Sequence, residues 1–426
     1  MSINKFSSKS RVIFSIFIGT VLEWYDFSIF AFFTPIIAEL FFPTSSKVAA
    51  YISIYAVFAV GFLVRPLGAI VFGFYGDRYG RKKVLVFSMV VMSISTVAIG
   101  LLPTYDKIGI LAPITLVILR LIQGFSVGGE TTGSASFILE SFSEKNRGML
   151  GSLVWSAVGV GMLISSCITT LIIHIFNNDN LHAFGWRIPF VLGIFTGIIG
   201  YYFRRKFTET EMFVAARREG HITSLSSFGV ITKNKKNVLI IMGLYCLSAM
   251  ITYLIFIFMP YYASTVVNIP RATANMVTTI AIACITFLVP LAGCLSDRLG
   301  RKPCLYIGSL GLLVVSVPLY IYMSSTKTLA SFVFSQGVFI LFATIYQGTL
   351  TAAAQELTNT PVRYTVTSIG YNFSYALFGG TAPFFVTYTL SVVDNKAIPG
   401  LYLAMGAIIA IISVSKMRET SKTALA

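Results

Sequence analysis

Charged residues are scarce in this sequence: Lys, Arg, Asp and Glu together make up 11% of its 426 positions. A soluble domain carries about 25%. Histidine is rarer still, and His174, His182 and His221 show no metal-ligand spacing. The five cysteines show neither metal-ligand spacing nor a pattern of paired exterior positions. These shortages argue against a soluble protein and against a metal site, a cofactor site or a disulfide framework, so none of these is predicted.

Apolar residues, in contrast, make up 56% of the chain, and the mean hydropathy is +0.81. A helix needs about 20 mostly apolar residues to cross a membrane. Charges, Pro/Gly turns and Asn clusters divide the chain into twelve such segments: 11–40, 48–74, 84–103, 110–139, 148–176, 187–203, 237–259, 272–295, 303–324, 329–357, 364–391 and 398–415. The sequence therefore predicts an all-α membrane protein with twelve transmembrane helices.

The net charge of +16 is explained by where the basic residues lie. With the N-terminus in the cytoplasm, 24 of the 32 Lys and Arg residues fall in cytoplasmic segments and six in exterior loops. This bias fixes the orientation, since cytoplasmic loops of membrane proteins are enriched in Lys and Arg. We expect a multi-pass protein of the cell (inner) membrane with both termini in the cytoplasm, and no nucleic-acid partner.

One short charged motif occurs twice. Residues 73–83 read GFYGDRYGRKK and residues 293–303 read GCLSDRLGRKP, with six identical positions and an offset of 220 residues. A second repeat has nearly the same offset. Glu140 precedes Arg147 by seven positions, and Glu356 precedes Arg363 by seven. Such self-similarity indicates a transporter built from two like halves. We expect two pseudo-symmetric six-helix halves, 1–203 and 237–426, joined by a cytoplasmic loop at 204–236.

Within that loop, Thr208 and Glu211 have the spacing of a capping box. The segment is either a short helix on the bilayer surface or a plain basic linker.

The repeated motif resembles the signature of the major facilitator superfamily. In that family the motif latches the cytoplasmic side of the transporter. The resemblance therefore implies a gating role for the residues of both copies and for the two Glu/Arg pairs: Gly73, Asp77, Arg78, Gly80, Arg81, Glu140, Arg147, Asp297, Arg301, Glu356 and Arg363.

Further stretches, among them EWYDF at 23–27, RLIQGFSVGGE at 120–130 and YNFSYALFGGTAP at 371–383, resemble the metabolite:proton symporters of that superfamily. The resemblance implies proton-coupled symport of a small polar metabolite, either a proline/betaine-type osmolyte or an organic acid. The alternative is a membrane sensor or a facilitator of the same fold without proton coupling. A membrane-embedded enzyme would need a catalytic cluster, which this sequence lacks. A channel is usually built from several subunits around one pore. We therefore expect a non-enzymatic, monomeric transporter.

Five ionisable residues lie inside the predicted spans: Glu23, Asp26, Arg65, Arg120 and Glu130. Such residues are costly in a membrane and by default mark functional sites. Glu23, Asp26 and Glu130 are predicted to couple proton movement to transport, or else to fix helix packing by hydrogen bonds. We estimate depth from the cytoplasmic end of each span, counting about 1.5 Å of rise per residue. Arg65 and Glu130 then lie at a common depth of about 14 Å, and the depth of Arg120 is closest to that of Asp26. We therefore expect an Arg65–Glu130 pair, unless Arg65 extends towards the cytoplasm.

Polar and aromatic residues near these charges are the candidates for substrate binding. They are Trp24, Tyr25, Arg65, Arg120, Gln123, Tyr371 and Asn372. Aromatic residues such as Trp155 and Tyr253 either form a cation–π wall for a quaternary ammonium group or simply pack against lipid and other helices. The expected partners are a small-molecule substrate, protons and the lipid bilayer.

Overall fold

A computed structural model describes residues 3–43, 47–79, 81–141, 146–205, 227–421 and 423. These residues form helices and connecting turns, and no strand occurs among them. The helices that make up the twelve spans are, in chain order, Ile3–Phe41; Lys47–Leu63 with Arg65–Tyr79; Arg81–Leu101; Leu111–Val127 with Glu130–Ser141; Arg147–Ile175; Arg187–Val191 with Gly193–Arg205; Lys235–Met250 with Ile251–Ile257 and Met259–Thr265; Arg271–Leu299; Arg301–Thr326; Leu329–Glu356; Thr360–Ser374 with Tyr375–Gly380 and Ala382–Val392; and Ile398–Lys416.

Ten of the spans are long and apolar enough to cross a membrane, and Val86–Leu101 is a shorter apolar helix. The remaining span, the eleventh, is divided into three pieces, of which Tyr375–Gly380 is a π-helix. Short helices also form outside the spans, at Tyr105–Ile108, Asn178–Asn180, Leu181–Gly185 and Ser227–Lys233. The predicted class is confirmed: this is an all-α membrane fold of twelve helices in two six-helix halves.

Several spans predicted to be continuous are broken near their middle. The second breaks after Leu63, just before Pro66, which cannot donate a backbone hydrogen bond. The fourth breaks at Gly128–Gly129, and the seventh contains the π-helix Ile251–Ile257. Because broken helices free backbone groups in the membrane, they are tolerated only where neighbouring protein satisfies those groups. The breaks therefore lie where the chain packs on other helices.

The two halves meet closely where the fifth span crosses the eighth. A Cβ atom at Gly148 would lie 2.4 Å from the carbonyl oxygen of Gly293, and one at Gly293 would lie 2.5 Å from that of Gly148. The absence of both side chains lets the two backbones approach each other directly. The predicted loop between the halves is mostly outside the described residues, including Thr208 and Glu211.

Candidate functional site

Arg65 lies at the centre of the bundle, at the first position of the helix that follows the break in the second span. Its Nη2 atom is 3.9 Å from Oε1 of Glu23, and both side chains are 1% exposed. The Thr131 hydroxyl donates a hydrogen bond to the same carboxylate oxygen at 3.2 Å. The predicted Arg65–Glu130 pair was wrong, because depth along a helix does not fix the face on which a residue lies.

Aromatic rings surround the Arg65 guanidinium. Its central carbon lies 4.9 Å from the ring centroid of Phe62, 5.2 Å from that of Phe27 and 5.9 Å from that of Tyr371. Phe27 and Phe62 belong to the first half, whereas Tyr371 belongs to the second. The charge is therefore placed between the halves, with rings of both halves facing it.

Arg120 forms a second cationic centre one helix away. Its guanidinium lies 4.2 Å from the Phe30 ring and 4.8 Å from the Phe27 ring. Its Nη1 donates to the Gln123 side-chain oxygen, and the Gln123 amide donates to the Thr96 hydroxyl at 2.8 Å. Gln123, predicted to contact substrate, thus links Arg120 to Thr96.

The other two predicted proton-coupling carboxylates have hydroxyl partners. The Thr196 hydroxyl lies 2.9 Å and 3.0 Å from the two oxygens of Asp26, and the Ser88 hydroxyl donates to Glu130 at 3.3 Å. The expected approach of Arg120 to Asp26 was wrong, since Arg120 points into the aromatic rings. In the described part of the chain, no Lys or Arg forms an ion pair with Asp26.

Unpaired donors accumulate at this centre. Within the described residues, no hydrogen-bond acceptor contacts Nε or Nη1 of Arg65, Nε or Nη2 of Arg120, or the Tyr253 hydroxyl. All three side chains are at most 1% exposed. The Tyr253 ring lies 5.1 Å from the Phe62 ring, which places this second-half tyrosine beside Arg65. The two guanidinium groups therefore keep four nitrogen atoms at the centre without an acceptor among the described residues.

Three other predicted substrate-binding residues make different contacts. The indole of Trp24 packs 6.3 Å from the Phe27 ring, and its N–H has no acceptor among the described residues. The Tyr25 hydroxyl donates to the Pro189 carbonyl at 2.8 Å and so joins the first and sixth spans. The Asn372 amide donates to the Gly128 carbonyl at 2.6 Å across the two halves. Of these three residues, Trp24 keeps its indole N–H and Asn372 its side-chain oxygen without a partner among the described residues.

A small cavity of about 30 Å³ adjoins this centre and lies between the halves, because its wall combines the fifth span of the first half with spans of the second. Trp155, Thr252, Phe256 and Gln347 are among its lining residues. The Trp155 ring is 6.5 Å from that of Tyr375, which in turn is 6.1 Å from Tyr253. Thr252, Phe256 and Tyr375 carry no charge or spacing that distinguishes them in an apolar sequence, so sequence reasoning did not find them.

We call the side of the bundle where Arg271–Leu299 ends and Arg301–Thr326 begins the motif face. There Asp297 accepts hydrogen bonds from the backbone N–H groups of Gly148 and Met149, at 2.8 and 3.0 Å, and also pairs with Arg301 at 2.9 Å. Asp297 thus caps the start of the fifth span from the other half. The second copy of the motif therefore contacts the first half through Asp297.

The Glu/Arg pairs also meet at the motif face. Glu356 pairs with Arg301 at 3.0 Å and with Arg147 at 3.5 Å, and all three side chains are almost fully buried. Glu140 pairs with Arg363 at 3.1 Å, again across the halves. The predicted Glu and Arg residues therefore meet, each Glu with an Arg of the opposite half.

A C-terminal tail, residues 417–423, adds contacts to this closure. Glu419 accepts hydrogen bonds from the backbone N–H groups of Arg301 and Lys302, both at 2.9 Å. The Thr420 hydroxyl donates to Glu356 at 2.6 Å, and Arg147 donates to the Thr423 carbonyl at 3.0 Å. The tail is thereby bonded to both halves.

The first copy of the motif cannot be compared in this way. Gly73, Asp77 and Arg78 belong to the helix Arg65–Tyr79, and Arg81 starts the next helix. Their side-chain surroundings and the whole of Gly80 lie outside the described residues.

The side opposite the motif face is closed by rings. Tyr51 and Tyr55 of the second span lie 5.0 and 6.3 Å from the ring of Tyr261 in the seventh span. Among the described residues there, Glu39 pairs with His182 within the first half, and Lys396 pairs with Asp394 within the second. No ion pair joins the halves at this face in the part of the chain that the structure describes.

A membrane bundle of two halves that meet at a buried polar centre has the architecture of a membrane transporter. The Major Facilitator Superfamily profile matches residues 16–383 and 241–423. The Proline/betaine transporter of Escherichia coli (strain K12) is 33% identical over 419 residues, which cover 96% of this chain and 83% of that protein. The chain belongs to the Major Facilitator Superfamily, and it is a transporter rather than an enzyme.

Solved structures show the same fold. The proton:xylose symporter XylE bound to 6-bromo-6-deoxy-D-glucose superposes with a TM-score of 0.78 at 18% identity, covering 99% of this chain and 98% of that chain. A partially occluded inward open conformation of the xylose transporter XylE from E. coli gives 0.77 at 19% identity, covering 98% and 100%.

Proposed function

We propose that the protein is a proton-coupled symporter that moves a small carboxylate-bearing metabolite by alternating access between its halves. The observation that carries this proposal is the set of buried donors on Arg65, Arg120 and Tyr253 that have no acceptor among the described residues. A buried donor without an acceptor is costly, and a carboxylate supplies several acceptor positions at once. Arg pairs with carboxylates through two parallel hydrogen bonds, which gives orientation as well as affinity.

The neighbouring cavity favours a zwitterionic osmolyte over an organic acid. Its wall includes Trp155 and Phe256, and it lies next to Tyr375. Aromatic faces attract ammonium groups, whereas a second carboxylate gains nothing from them. The name of the Escherichia coli relative, a proline/betaine transporter, agrees with such a substrate. A cavity of about 30 Å³ holds one or two water molecules, so the metabolite enters only when the halves move apart.

The Arg65–Glu23 contact supplies a coupling mechanism. A substrate carboxylate and Glu23 compete for the same guanidinium, and two carboxylates beside one cation repel each other in a low-dielectric site. Protonation of Glu23 removes that repulsion and frees Arg65 for the substrate. Asp26 and Glu130, with their hydroxyl partners, are the further proton-coupling candidates.

The motif face is assigned to the cytoplasm because the Lys and Arg residues concentrate there. Its cross-half ion pairs are then the cytoplasmic gate, formed by Asp297, Arg301 and Glu356 with Arg147, and by Glu140 with Arg363. The first motif copy, with Asp77 and Arg81, is proposed to contribute to the same gate. We further propose an inner-membrane location, cytoplasmic termini and a monomer with halves at 1–203 and 237–426.

Uptake by proteoliposomes under an imposed pH gradient tests this function. A panel of labelled proline, glycine betaine, α-ketoglutarate, citrate and shikimate identifies the substrate. Wild-type protein should accumulate one of the first two above equilibrium. Glu23→Gln should retain counterflow exchange but lose accumulation, and Arg65→Lys should raise KM, whereas Arg187→Lys, at a surface arginine bonded to Gly100 and Leu102, should do neither. Equilibration without accumulation by the wild type would support a facilitator instead.

A further inference from the structure

The break in the fourth span lies beside the Arg65–Glu23 pair. A Cβ atom at Gly128 would lie 2.5 Å from the Arg65 carbonyl oxygen and 2.4 Å from the backbone nitrogen of Ala69. Only glycine allows this approach, so the turn is fitted against the start of the helix that carries Arg65. Any shift of the turn therefore displaces the Arg65 backbone as well.

The residues that follow the turn reach the other member of the pair. Glu130 and Thr131 begin the next helix, and the Thr131 hydroxyl donates to Glu23 at 3.2 Å. The turn at Gly128–Gly129 is thus in contact with Arg65 on one side and, through Thr131, with Glu23 on the other. Its position sets the separation of the pair.

The second half holds this turn. Asn372 and Ser368 donate to the Gly128 carbonyl at 2.6 and 3.2 Å, and the Tyr364 hydroxyl donates to the Gly129 carbonyl at 2.7 Å. The three donors are four residues apart and therefore lie on one face of the helix Thr360–Ser374. They satisfy carbonyls of a broken helix that must find partners in the membrane.

We infer that Tyr364, Ser368 and Asn372 are positioning residues that transmit the movement of the second half to the Arg65–Glu23 pair. When the halves separate along the eleventh span, the three donors leave and the turn relaxes. The contact of Glu23 with Thr131 and Arg65 then changes, and with it the proton affinity of the carboxylate. The inference rests on the proposed function in so far as Glu23 is its proton site.

The test removes two of the three donors with little change of shape, in Tyr364→Phe/Ser368→Ala. The matched control is Ser374→Ala, because the Ser374 hydroxyl lies on the same helix but donates to Met242 within the second half, at 2.6 Å. Two readouts are compared in each protein: the affinity for labelled proline or glycine betaine in detergent, which needs no gradient, and the pH profile of uptake in proteoliposomes.

We expect the double variant to change substrate affinity by about tenfold, the equivalent of two neutral hydrogen bonds, and to shift the midpoint of the pH profile. Ser374→Ala should change neither. A Glu23→Gln background retains counterflow exchange, and there the two hydroxyl deletions should no longer shift the pH profile of that exchange, because effects on one coupled unit are not additive.

Wild-type affinity and pH profile in the double variant, at normal expression, would overturn the inference. So would an equal shift in Ser374→Ala, since that would report only a loosened helix. If the wild type binds substrate but does not accumulate it, the proposed proton coupling fails, while the affinity comparison still decides whether the three donors position the pair.

Discussion

The two faces of the bundle are closed by different chemistry. At the motif face the halves are joined by buried ion pairs and charged caps, with Glu356 shared between Arg301, Arg147 and Thr420. At the opposite face they are joined by the rings of Tyr51, Tyr55 and Tyr261. A shared carboxylate makes the first closure cooperative, because loss of one partner leaves the others as uncompensated charges. Ring contacts contribute about 0.5–1.5 kcal/mol each and can be lost one at a time.

Because the motif face is closed by charges and the opposite face by rings, the two faces are not expected to open with equal ease. Opening the motif face exposes several charges that must be hydrated together, whereas opening the opposite face separates a few aromatic edges. We therefore expect the motif face to be the more tightly closed of the two, and the following changes test that ranking.

The largest effect is expected for Glu356→Gln. It leaves Arg301 and Arg147 buried without their shared counter-ion, which typically costs about 3–5 kcal/mol. Thermal unfolding of the purified protein should show the lowest Tm of the variants described here. The matched change Glu39→Gln removes a carboxylate that is 48% exposed in its pair with His182, and should have little effect. Similar Tm values for the two would contradict a charge-based closure.

A smaller loss is expected for Asp297→Asn. The amide can still accept one backbone hydrogen bond but loses the other and the charge beside Arg301, a cost of about 1–2 kcal/mol. Hydrogen exchange at Gly148 and Met149 should become faster, because those N–H groups start the fifth span and are capped by Asp297. Asp394→Asn, in an exposed pair with Lys396, serves as the control. Unchanged exchange at residues 148 and 149 would show that the cap is not needed.

Tyr261→Leu should have a still smaller effect, confined to the opposite face. It removes the two ring contacts that cross the halves, and a third to Phe258 within the second half, each worth about 0.5–1.5 kcal/mol, while retaining apolar volume. Spin labels at the exposed positions Asp106 and Lys327, one in each half, should report a longer or broader distance distribution. Tyr322→Leu is the control, because among the described residues its ring packs on that of Phe334 within the second half. A Tm loss exceeding that of Glu356→Gln would reverse the ranking of the two faces.

The smallest effect concerns Glu419 and pH. Burial raises the pKa of Glu419, but the backbone N–H groups of Arg301, Lys302 and Ser421 lower it more, so that the pKa falls below its ordinary value of 4.5. The attachment of the tail is then complete above that value and is lost as the pH falls through the lowered pKa. A nitroxide label at position 423 should become mobile only in strongly acidic solution. In Glu419→Gln the mobility should not depend on pH, and an identical titration in that variant would exclude Glu419 as its cause.

The fold could be predicted from the sequence because three separate features of the sequence indicated the same architecture. Twelve apolar segments, the basic-residue bias and the repeated motif all led to two six-helix halves. The repeat indicated that Asp297, Glu356 and Glu140 belong to one gating network, but not that each of them contacts the opposite half.

The pairing of the central charges was not predictable in this way. Counting the rise along helices gives depth but not the direction in which a side chain points, and an arginine side chain reaches more than one helical turn. Arg65 therefore pairs with Glu23 rather than with Glu130, and Arg120 packs against aromatic rings. The role of Gly128 was equally hidden, because a glycine pair in a membrane helix indicates close packing without naming the neighbour.

The bonds of residues 417–423 have a practical consequence for handling the protein. A fluorescent or affinity fusion joined shortly after Thr423 would adjoin a residue whose carbonyl accepts a hydrogen bond from Arg147. A bulky partner there would pull on the segment that contacts Glu356 through Thr420 and Arg301 through Glu419. Transport rates measured on such fusions would then describe the altered closure, and a long flexible spacer or an internal tag would be the safer choice.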